Sequence, residues 1–242
     1  MLERPMALKH IQIIVLAAAF ALQYFFEHLY PQRKDINDWK NERFNLAVGV
    51  FNLLLSFIPA GLLVQLIDLV DQKQLGLFNQ TAPPFYFELL LTILILDAWM
   101  YAWHRLNHRV PLLWKFHSFH HKDEKLNSTT ALRFHIVELL LSYPGKALVC
   151  FIAGIDFTNL LIYEMLFFVS IVVHHSNIYI TERMDNLYRI LFVSPMMHRI
   201  HHSKRKDETD TNFSALFSFW DKCFGSWKGK AKGEVVFGVP EE

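Results

Sequence analysis

Three clusters of histidines in this chain have the spacing of metal ligands on helices. In chain order they are His104 and His108, then His117, His120 and His121, then His198, His201 and His202. Residues three or four apart share one face of a helix, so each cluster directs two or three imidazoles the same way. Neutral imidazole is the commonest metal ligand. The sequence therefore predicts a metal site that is built by all three clusters.

Three further histidines extend this candidate site. His175 opens a His-Ser-Asn stretch after the last apolar run, and we predict that it completes the ligand set. His174, its neighbour, is interpreted as a supporting or interfacial residue. His135 begins an earlier apolar run, where the pattern is open between a metal ligand and a hydrogen bond to a neighbour. The predicted ligand set is the eight clustered histidines together with His135 and His175.

Two polar residues are candidate catalytic groups that support the ligands. Asp97 lies seven residues before His104, which is two helical turns back on the same face. An ionisable side chain within an apolar run is costly and is functional by default. We expect the Asp97 carboxylate to accept the outer N–H of a metal-bound imidazole, as carboxylates commonly do at such sites. Asn177 is the second candidate, placed shortly after His175.

Five apolar runs must position these side chains. They cover residues 11–30, 44–70, 85–103, 137–155 and 157–173. A run of about 20 residues is long enough to cross a bilayer as a helix. The last two runs are shorter and are separated by a tight turn, so we predict a hairpin that enters the membrane without fully crossing it. The expected fold is all-α, an integral-membrane bundle of about four transmembrane helices or their equivalents with a cytoplasmic histidine-rich helical cap.

We predict one membrane-embedded domain over the whole chain. Its parts are transmembrane helices at 11–103, a cytosolic histidine-rich segment at 104–134, a membrane hairpin at 135–173 and a second cytosolic histidine-rich segment at 174–242. Positive charge supports this orientation, because 20 of the 24 Lys and Arg residues fall on the histidine side. We therefore expect a multi-pass protein of a bacterial inner membrane or the endoplasmic reticulum, with its histidine-rich face in the cytoplasm.

Composition and missing motifs exclude several classes. The formal net charge is +1, which gives no basic surface for nucleic acid. The two cysteines, Cys150 and Cys223, fall in a membrane run and in the last segment, so we expect no disulfide and a reducing compartment. The His-Glu-x-x-His pattern of zinc proteases and the Glu-x-x-His pattern of soluble di-iron bundles are both absent.

These motifs resemble those of the integral-membrane fatty acid hydroxylase and sterol desaturase superfamily. The resemblance covers roughly residues 97–227, over half of the chain. Besides the histidines, it rests on Asp97, Tyr101, Trp114, Thr130, Arg133, Glu138, Asn177, Pro195, Asn212, Trp220 and Asp221. One position departs from the pattern of some fatty acid hydroxylases, which have a second histidine four residues before His175. In this chain that position is Ile171.

The resemblance implies an oxidoreductase of the monooxygenase type, with two non-haem iron ions and O2 as co-substrate. It implies a membrane lipid as substrate (fatty acyl, sterol or ether lipid), and hydroxylation, desaturation and ether cleavage are not separable from the sequence. Electrons would come from an external donor such as a reductase, a ferredoxin or a cytochrome b5-like protein. Zinc is also expected in purified protein, since zinc binds histidine sites more tightly than ferrous iron.

Two other function classes stay open at this point. A haem-binding electron-transfer protein needs only pairs of axial histidines, and a Soret absorption band would identify it. A metal transporter or sensor places ionisable ligands deep within several spans, whereas most histidines here lie at one predicted membrane surface. The recurrence of the three-histidine spacing favours the oxygenase over both alternatives.

Overall fold

Helices form all the regular secondary structure in the described part of the chain. The computed structural model describes the backbone of residues 3–239 and the side chains of residues 12–239. No β-strand occurs within residues 3–239, so the all-α prediction is confirmed. The α-helices are α1 (Glu3–Leu29), α2 (Trp39–Gln72), α3 (Leu77–Thr81), α4 (Phe85–Arg109), α5 (Pro111–His121), α6 (Ile136–Ala153), α7 (Phe157–His175), α8 (Glu182–Tyr188), α9 (Pro195–His201), α10 (Lys206–Thr209) and α11 (Phe219–Cys223), and a 3₁₀ helix lies at Ser128–Leu132.

Within the described residues, five helical segments are long and apolar enough to cross a membrane. They lie in α1, in α2 together with α3, in α4, in α6 and in α7. Their outward faces carry large apolar side chains, such as Leu53 at 63% exposure and Ile58 at 76% on α2. Such faces are costly against water and are stable against lipid. Length and composition therefore indicate a multi-pass membrane protein.

Helices α6 and α7 correspond to the predicted hairpin. They have 18 and 19 residues, so by length each of them is a candidate for a full span. The turn between them lies where the sequence predicts it, since Gly154 ends α6 at φ +76° and Asp156 caps α7 by accepting two backbone N–H groups. Gly76 packs on this turn, and a Cβ built on Gly76 would lie 2.5 Å from the Gly154 Cα. The absence of a Cβ therefore permits this close approach.

An apolar core holds the spans together. Helices α4 and α6 approach closely, because a Cβ built on Gly145 would lie 2.2 Å from the indole ring of Trp99. Lys146 donates to Glu164 at 2.7 Å, an ion pair that joins α6 to α7. The buried side chains of this core include Leu63, Ile67, Leu96, Cys150, Ile155 and Tyr163.

Shorter elements build the histidine-bearing end of the bundle. Helix α4 continues beyond its apolar run to Arg109, so His104 and His108 lie on its last two turns. Helix α5 begins at Pro111, after a single connecting residue. After α7 the chain returns through α8, and α9 packs against α7. The histidines of α4, α5, α7 and α9 are thereby brought to one end.

A buried polar network fixes the connection between α5 and α6. Asp123 accepts hydrogen bonds from Asn41, Asn45 and Thr130 at 2.9, 2.7 and 2.8 Å. Arg133 donates to the side-chain oxygens of Asn41 and Asn45 at 3.3 and 3.4 Å. These contacts join α2 to the chain around the 3₁₀ helix, and they position the backbone of Arg133.

Candidate metal centre

Nine of the ten predicted histidine ligands come together in two groups. The five-histidine group contains His104, His108, His117, His121 and His201, and the four-histidine group contains His120, His175, His198 and His202. Within each group, one nitrogen of every imidazole lies within 4.8 Å of the corresponding nitrogens of the others. Each group combines side chains from at least three separate elements, so neither is the product of one helix.

In the five-histidine group, backbone carbonyls orient two of the rings. Nδ1 of His104 lies 2.8 Å from the Phe213 carbonyl, and Nδ1 of His201 lies 2.7 Å from the Thr211 carbonyl. A carbonyl oxygen only accepts, so each Nδ1 carries the proton and each Nε2 presents a lone pair. Nε2 of His201 is buried and has no hydrogen-bond partner among the described residues.

Carboxylates lie beside two other members of this group. Glu138 Oε1 lies 2.8 Å from Nδ1 of His117, and both side chains are buried. Asp210 Oδ1 lies 3.4 Å from Nδ1 of His108. The Glu138 carboxylate accepts the His117 N–H and leaves Nε2 of His117 as the ligand atom. Nδ1 of His108 makes no hydrogen bond with Asp210. Nε2 of His108 and Nε2 of His117 are both buried without a hydrogen-bond partner in residues 12–239.

The four-histidine group has the shorter contacts. Nε2 of His175 lies 3.1 Å from Nε2 of His120 and 3.0 Å from Nε2 of His198. Nε2 of His198 lies in turn 3.1 Å from Nε2 of His202. A metal–imidazole bond is about 2.1 Å long, so two ligands at right angles around one ion lie about 3.0 Å apart. The observed spacing therefore fits imidazoles that share a single ion.

Hydrogen bonding does not account for the short contact between His120 and His175. Nδ1 of His120 donates to the Arg133 carbonyl at 3.1 Å, and Nδ1 of His175 donates to the Ile171 carbonyl at 2.6 Å. Because both protons are used in this way, the two Nε2 atoms present lone pairs to each other. Two lone pairs at this distance repel, and a cation between them replaces repulsion with coordination. The donor set therefore fits a metal ion.

Burial keeps the imidazoles of α5 and α9 in the form that binds metal. Removal from water, together with repulsion between neighbouring rings, lowers the pKa of His120, His121, His198 and His202. Removal from water also lowers the pKa of His201, to about 3. A metal binds the neutral imidazole, so these side chains need not lose a proton before they coordinate at neutral pH.

The two groups are neighbours and share one cavity. The rings of His121 and His202, one from each group, stack with their centroids 4.4 Å apart. A cavity of about 60 Å³ touches imidazoles of both groups. Most of its other lining is apolar, with Met100, Trp103, Phe134, Phe167 and Ile171. The histidines therefore face a small apolar chamber formed largely by the ends of α4 and α7.

Local sequence signals position the histidines of α9. The Ser194 side chain caps this helix by accepting from the backbone N–H of Met197 at 3.2 Å, and Pro195 occupies the first turn. Helix α9 therefore begins at Pro195, directly before its histidines. His174, interpreted as a supporting residue, lies beside the four-histidine group, with its ring centroid 4.1 Å from that of His198.

Two predicted site residues lie outside both groups. His135 caps α6, since its Nδ1 accepts from the backbone N–H of Val137 at 3.2 Å, and its ring packs on Phe116. Asn177 accepts from the backbone N–H of Arg33 at 3.1 Å and donates to its carbonyl at 2.8 Å. His135 begins a helix, and Asn177 joins the end of α7 to the loop after α1.

Asp97 is fully buried, and its hydrogen bonds go to another part of the chain. Its carboxylate accepts from the backbone N–H groups of Leu216 and Phe217 and from the indole N–H of Trp220, at 3.1, 3.0 and 2.8 Å. The prediction that Asp97 orients a ligand imidazole does not match these contacts. Asp97 instead anchors residues 213–221 on α4, and this segment supplies a carbonyl that orients the five-histidine group.

The carboxylate that does orient a ligand from within a predicted span is Glu138. The sequence pattern alone does not predict a role for Glu138 in the site. The signal that could have identified it is the one that singled out Asp97, an ionisable residue inside an apolar run. Asp210, beside His108, carried no comparable signal because it lies in a polar stretch.

We expect Glu138→Gln to weaken metal binding by the five-histidine group about 10- to 100-fold, because the neutral amide makes the His117 imidazole a poorer donor. Titration of metal-free protein with Co²⁺, followed by absorption, measures this affinity. Glu124→Gln is the matched control, since Glu124 is 65% exposed and pairs with Lys204. An equal loss of affinity in the two variants would contradict the role of Glu138.

The segment of the chain that contains the grouped histidines matches a known protein family. A family model described as fatty acid hydroxylase matches residues 89–226. An ornithine lipid hydroxylase from Rhizobium tropici is 26% identical over 224 residues, which is 88% of this chain and 66% of the relative. Alkylglycerol monooxygenase from Homo sapiens is 29% identical over 146 residues, 59% of this chain and 31% of the relative.

A third relative, sphinganine C4-monooxygenase 1 from Arabidopsis thaliana, is 29% identical over 144 residues, 58% of this chain and 54% of the relative. The matched segments thus span between about one third and two thirds of the lengths of these relatives. No solved structure matches the chain. The family model covers more than half of the chain and includes both groups of histidines, so the chain belongs to the fatty acid hydroxylase family.

Proposed function

We propose that this protein is a non-haem di-iron oxidoreductase that uses O2 to hydroxylate a C–H bond of a membrane lipid. Desaturation of the lipid is the other outcome that the same chemistry allows. The observation that carries the proposal is the convergence of nine imidazoles in two adjacent groups beside an apolar cavity. Membership of a family whose relatives are named as lipid hydroxylases and monooxygenases supports the reaction class.

Each group of histidines would hold one of the two ions. The five-histidine group would bind its ion with imidazoles of which His104, His201 and His117 are oriented by hydrogen bonds at Nδ1. The four-histidine group would bind the second ion through Nε2 atoms, and three pairs of these atoms lie 3.0 to 3.1 Å apart. When bound, the ions supply the O2-dependent oxidation of an unactivated C–H bond, for which side chains have no reactive group.

The cavity lining positions the substrate and excludes water. The cavity is small, at about 60 Å³, so it admits only a short part of a lipid chain. Phe167 and Ile171 on α7 and Met100 on α4 lie on its apolar side. A lipid in the bilayer can therefore insert one segment between these helices and keep the rest of its chain in an apolar environment.

The reaction needs a lipid substrate and an electron donor. By their names, the relatives act on an ornithine lipid, alkylglycerol and sphinganine. We propose a substrate of this kind, with a polar head and a long chain. The donor is a separate reductase, ferredoxin or cytochrome b5-like protein that docks at the histidine-bearing end. The distribution of Lys and Arg favours the cytoplasmic side for this end.

Metal content, an optical spectrum and one isotope experiment test this function. Protein from iron-supplemented cells is purified in detergent and incubated with bacterial lipid extract, a reductant and ¹⁸O2. We expect one iron in each histidine group, no Soret band, and ¹⁸O in a hydroxylated lipid detected by mass spectrometry. A Soret band would support the haem-binding alternative. If iron-loaded protein, supplied with the reductant and ¹⁸O2, leaves every lipid unchanged, the proposed reaction is contradicted.

A further inference from the structure

An unpaired carboxamide lies in the cavity beside the histidines. Asn107 lines this cavity, and it is 1% exposed. Neither Nδ2 nor Oδ1 of its side chain has a hydrogen-bond partner within the described part of the chain. Burying a polar group without a partner is unfavourable, so each such group calls for an explanation. A ligand that supplies the missing partners is the explanation that fits a residue facing a cavity.

Other polar side chains of this lining make at least one identified contact. Glu138 pairs with His117 through Oε1, and only its Oε2 has no hydrogen-bond partner among the described residues. Oγ of Ser214 accepts from the backbone N–H of Asp221 at 3.2 Å. His104 and His117 use Nδ1 for contacts behind the site, and their Nε2 atoms belong to the metal group. Among the residues that line the cavity, Asn107 therefore stands out as a side chain with both a donor and an acceptor free.

The position of Asn107 in α4 places it next to the metal ligands. It lies three residues after His104 and directly before His108. Residues three apart on a helix are neighbours on its surface, with Cβ atoms about 5–6 Å apart. Asn107 and His104 both line the cavity. A group that is hydrogen-bonded to the carboxamide is therefore held close to the imidazoles.

We propose that Asn107 binds a hydroxyl group of the lipid substrate, next to the carbon that is oxidised. This inference rests on the proposed function, and it narrows the substrate class to long-chain amphiphiles with a hydroxyl near the reacting C–H bond. A hydroxyl both donates and accepts, so it satisfies Oδ1 and Nδ2 of the carboxamide together. It is also a very small group, which suits a cavity of about 60 Å³.

Other polar groups of lipids fit this carboxamide less well. An ether or ester oxygen only accepts, so it would pair with Nδ2 and leave Oδ1 unpaired. A hydrocarbon segment would leave both atoms unpaired, and it would also displace any water bound there. The carboxamide thus discriminates by leaving a buried polar atom unsatisfied when the wrong group is present, which is an effective source of specificity.

Two isomers, dodecan-1-ol and 1-methoxyundecane, test whether the site prefers a hydroxyl to an ether oxygen. They have the same atomic composition, but only the alcohol donates a hydrogen bond. Their affinities for the full chain in detergent, loaded with Zn²⁺, are measured from the rise in melting temperature with probe concentration. We expect Asn107→Leu to reduce the preference for the alcohol about tenfold, the worth of one hydrogen bond. Both probes also dissolve in the detergent micelles. This loss is the same for every protein variant, so it does not affect the comparison of their preferences.

The variants also distinguish ligand binding from a structural role. Asn107→Leu removes an unpaired carboxamide, so we expect a higher melting temperature of the probe-free protein. Asn107→Ala, which adds no bulk, is the second variant and should lose the same preference. Asn186→Leu, at an exposed asparagine on α8, is the matched control and should keep it. An unchanged preference in both Asn107 variants, or failure of both to fold, would overturn the proposal.

Failure of the proposed function would be visible separately. The probe measurements need neither iron nor turnover. Absence of lipid hydroxylation together with an Asn107-dependent preference would therefore refute the oxygenase and leave the hydroxyl-binding site standing. Lipid hydroxylation without that preference would refute only the role of Asn107.

Discussion

Replacing His120 with alanine is expected to remove one metal ion and to abolish turnover. The four-histidine group would keep only three imidazoles, those of His175, His198 and His202. Supporting contacts behind a ligand are already worth about 10- to 100-fold in metal affinity, and a direct ligand is worth at least as much. His201→Ala should act in the same direction on the other group, with a smaller loss of affinity because four imidazoles remain.

Metal analysis of the two variants beside the wild-type protein checks this expectation. The His120 variant should retain the ion of the five-histidine group, so its metal content should fall by about half rather than to zero. His28→Ala is the control, because Nε2 of His28 faces Glu42 at 3.2 Å and His28 belongs to neither group. Full metal content and normal turnover in the His120 variant, or loss of metal from the His28 variant, would contradict the assignment.

Asp97→Ala is expected to destabilise the protein by about 3 kcal/mol, since one buried and two partly buried donors would each lose their acceptor. These donors are the backbone N–H groups of Leu216 and Phe217 and the indole N–H of Trp220. We expect metal retention to fall as a consequence, because the anchored segment 213–221 also carries a carbonyl that orients a ligand histidine.

Thermal unfolding in detergent, with and without bound metal, measures this effect. Asp68→Ala is the matched control, because Asp68 is an exposed aspartate on the surface of α2 and should change the melting temperature little. The Asp97 variant should be destabilised even in metal-free protein. A variant with unchanged metal-free stability and weakened metal binding would instead restore the interpretation of Asp97 as a direct partner of a ligand.

The histidine spacing was sufficient to identify nine histidines that come together, but it did not show which of the two groups each histidine joins. His117, His120 and His121 share one face of α5, yet His120 belongs to one group and its neighbour His121 to the other. Consecutive residues on a helix point about 100° apart, so even a shared face spreads its side chains widely. Helix α5 contributes to both groups, and the packing of the elements around it decides which histidine joins which group.

Proximity in sequence was misleading for the remaining site residues. His135 and Asn177 lie close in the chain to the ligand clusters, but each is used in a local or loop contact away from the grouped nitrogens. Asp97 was singled out correctly as a buried ionisable residue, and only its partners differ from the expectation. A residue type and its position along a helix do not reveal what packs against it.

By itself, the sequence determined the all-α class, the helices long enough to span a membrane and nine of the histidines that come together. These follow from the length of apolar runs and from helical periodicity, which are local properties of the chain. Only the tertiary structure decided which groups orient the ligands. Glu138 lies 21 residues from His117, and Phe213 lies 109 residues from His104. Such contacts depend on how distant segments pack, and a local pattern carries no information about that packing.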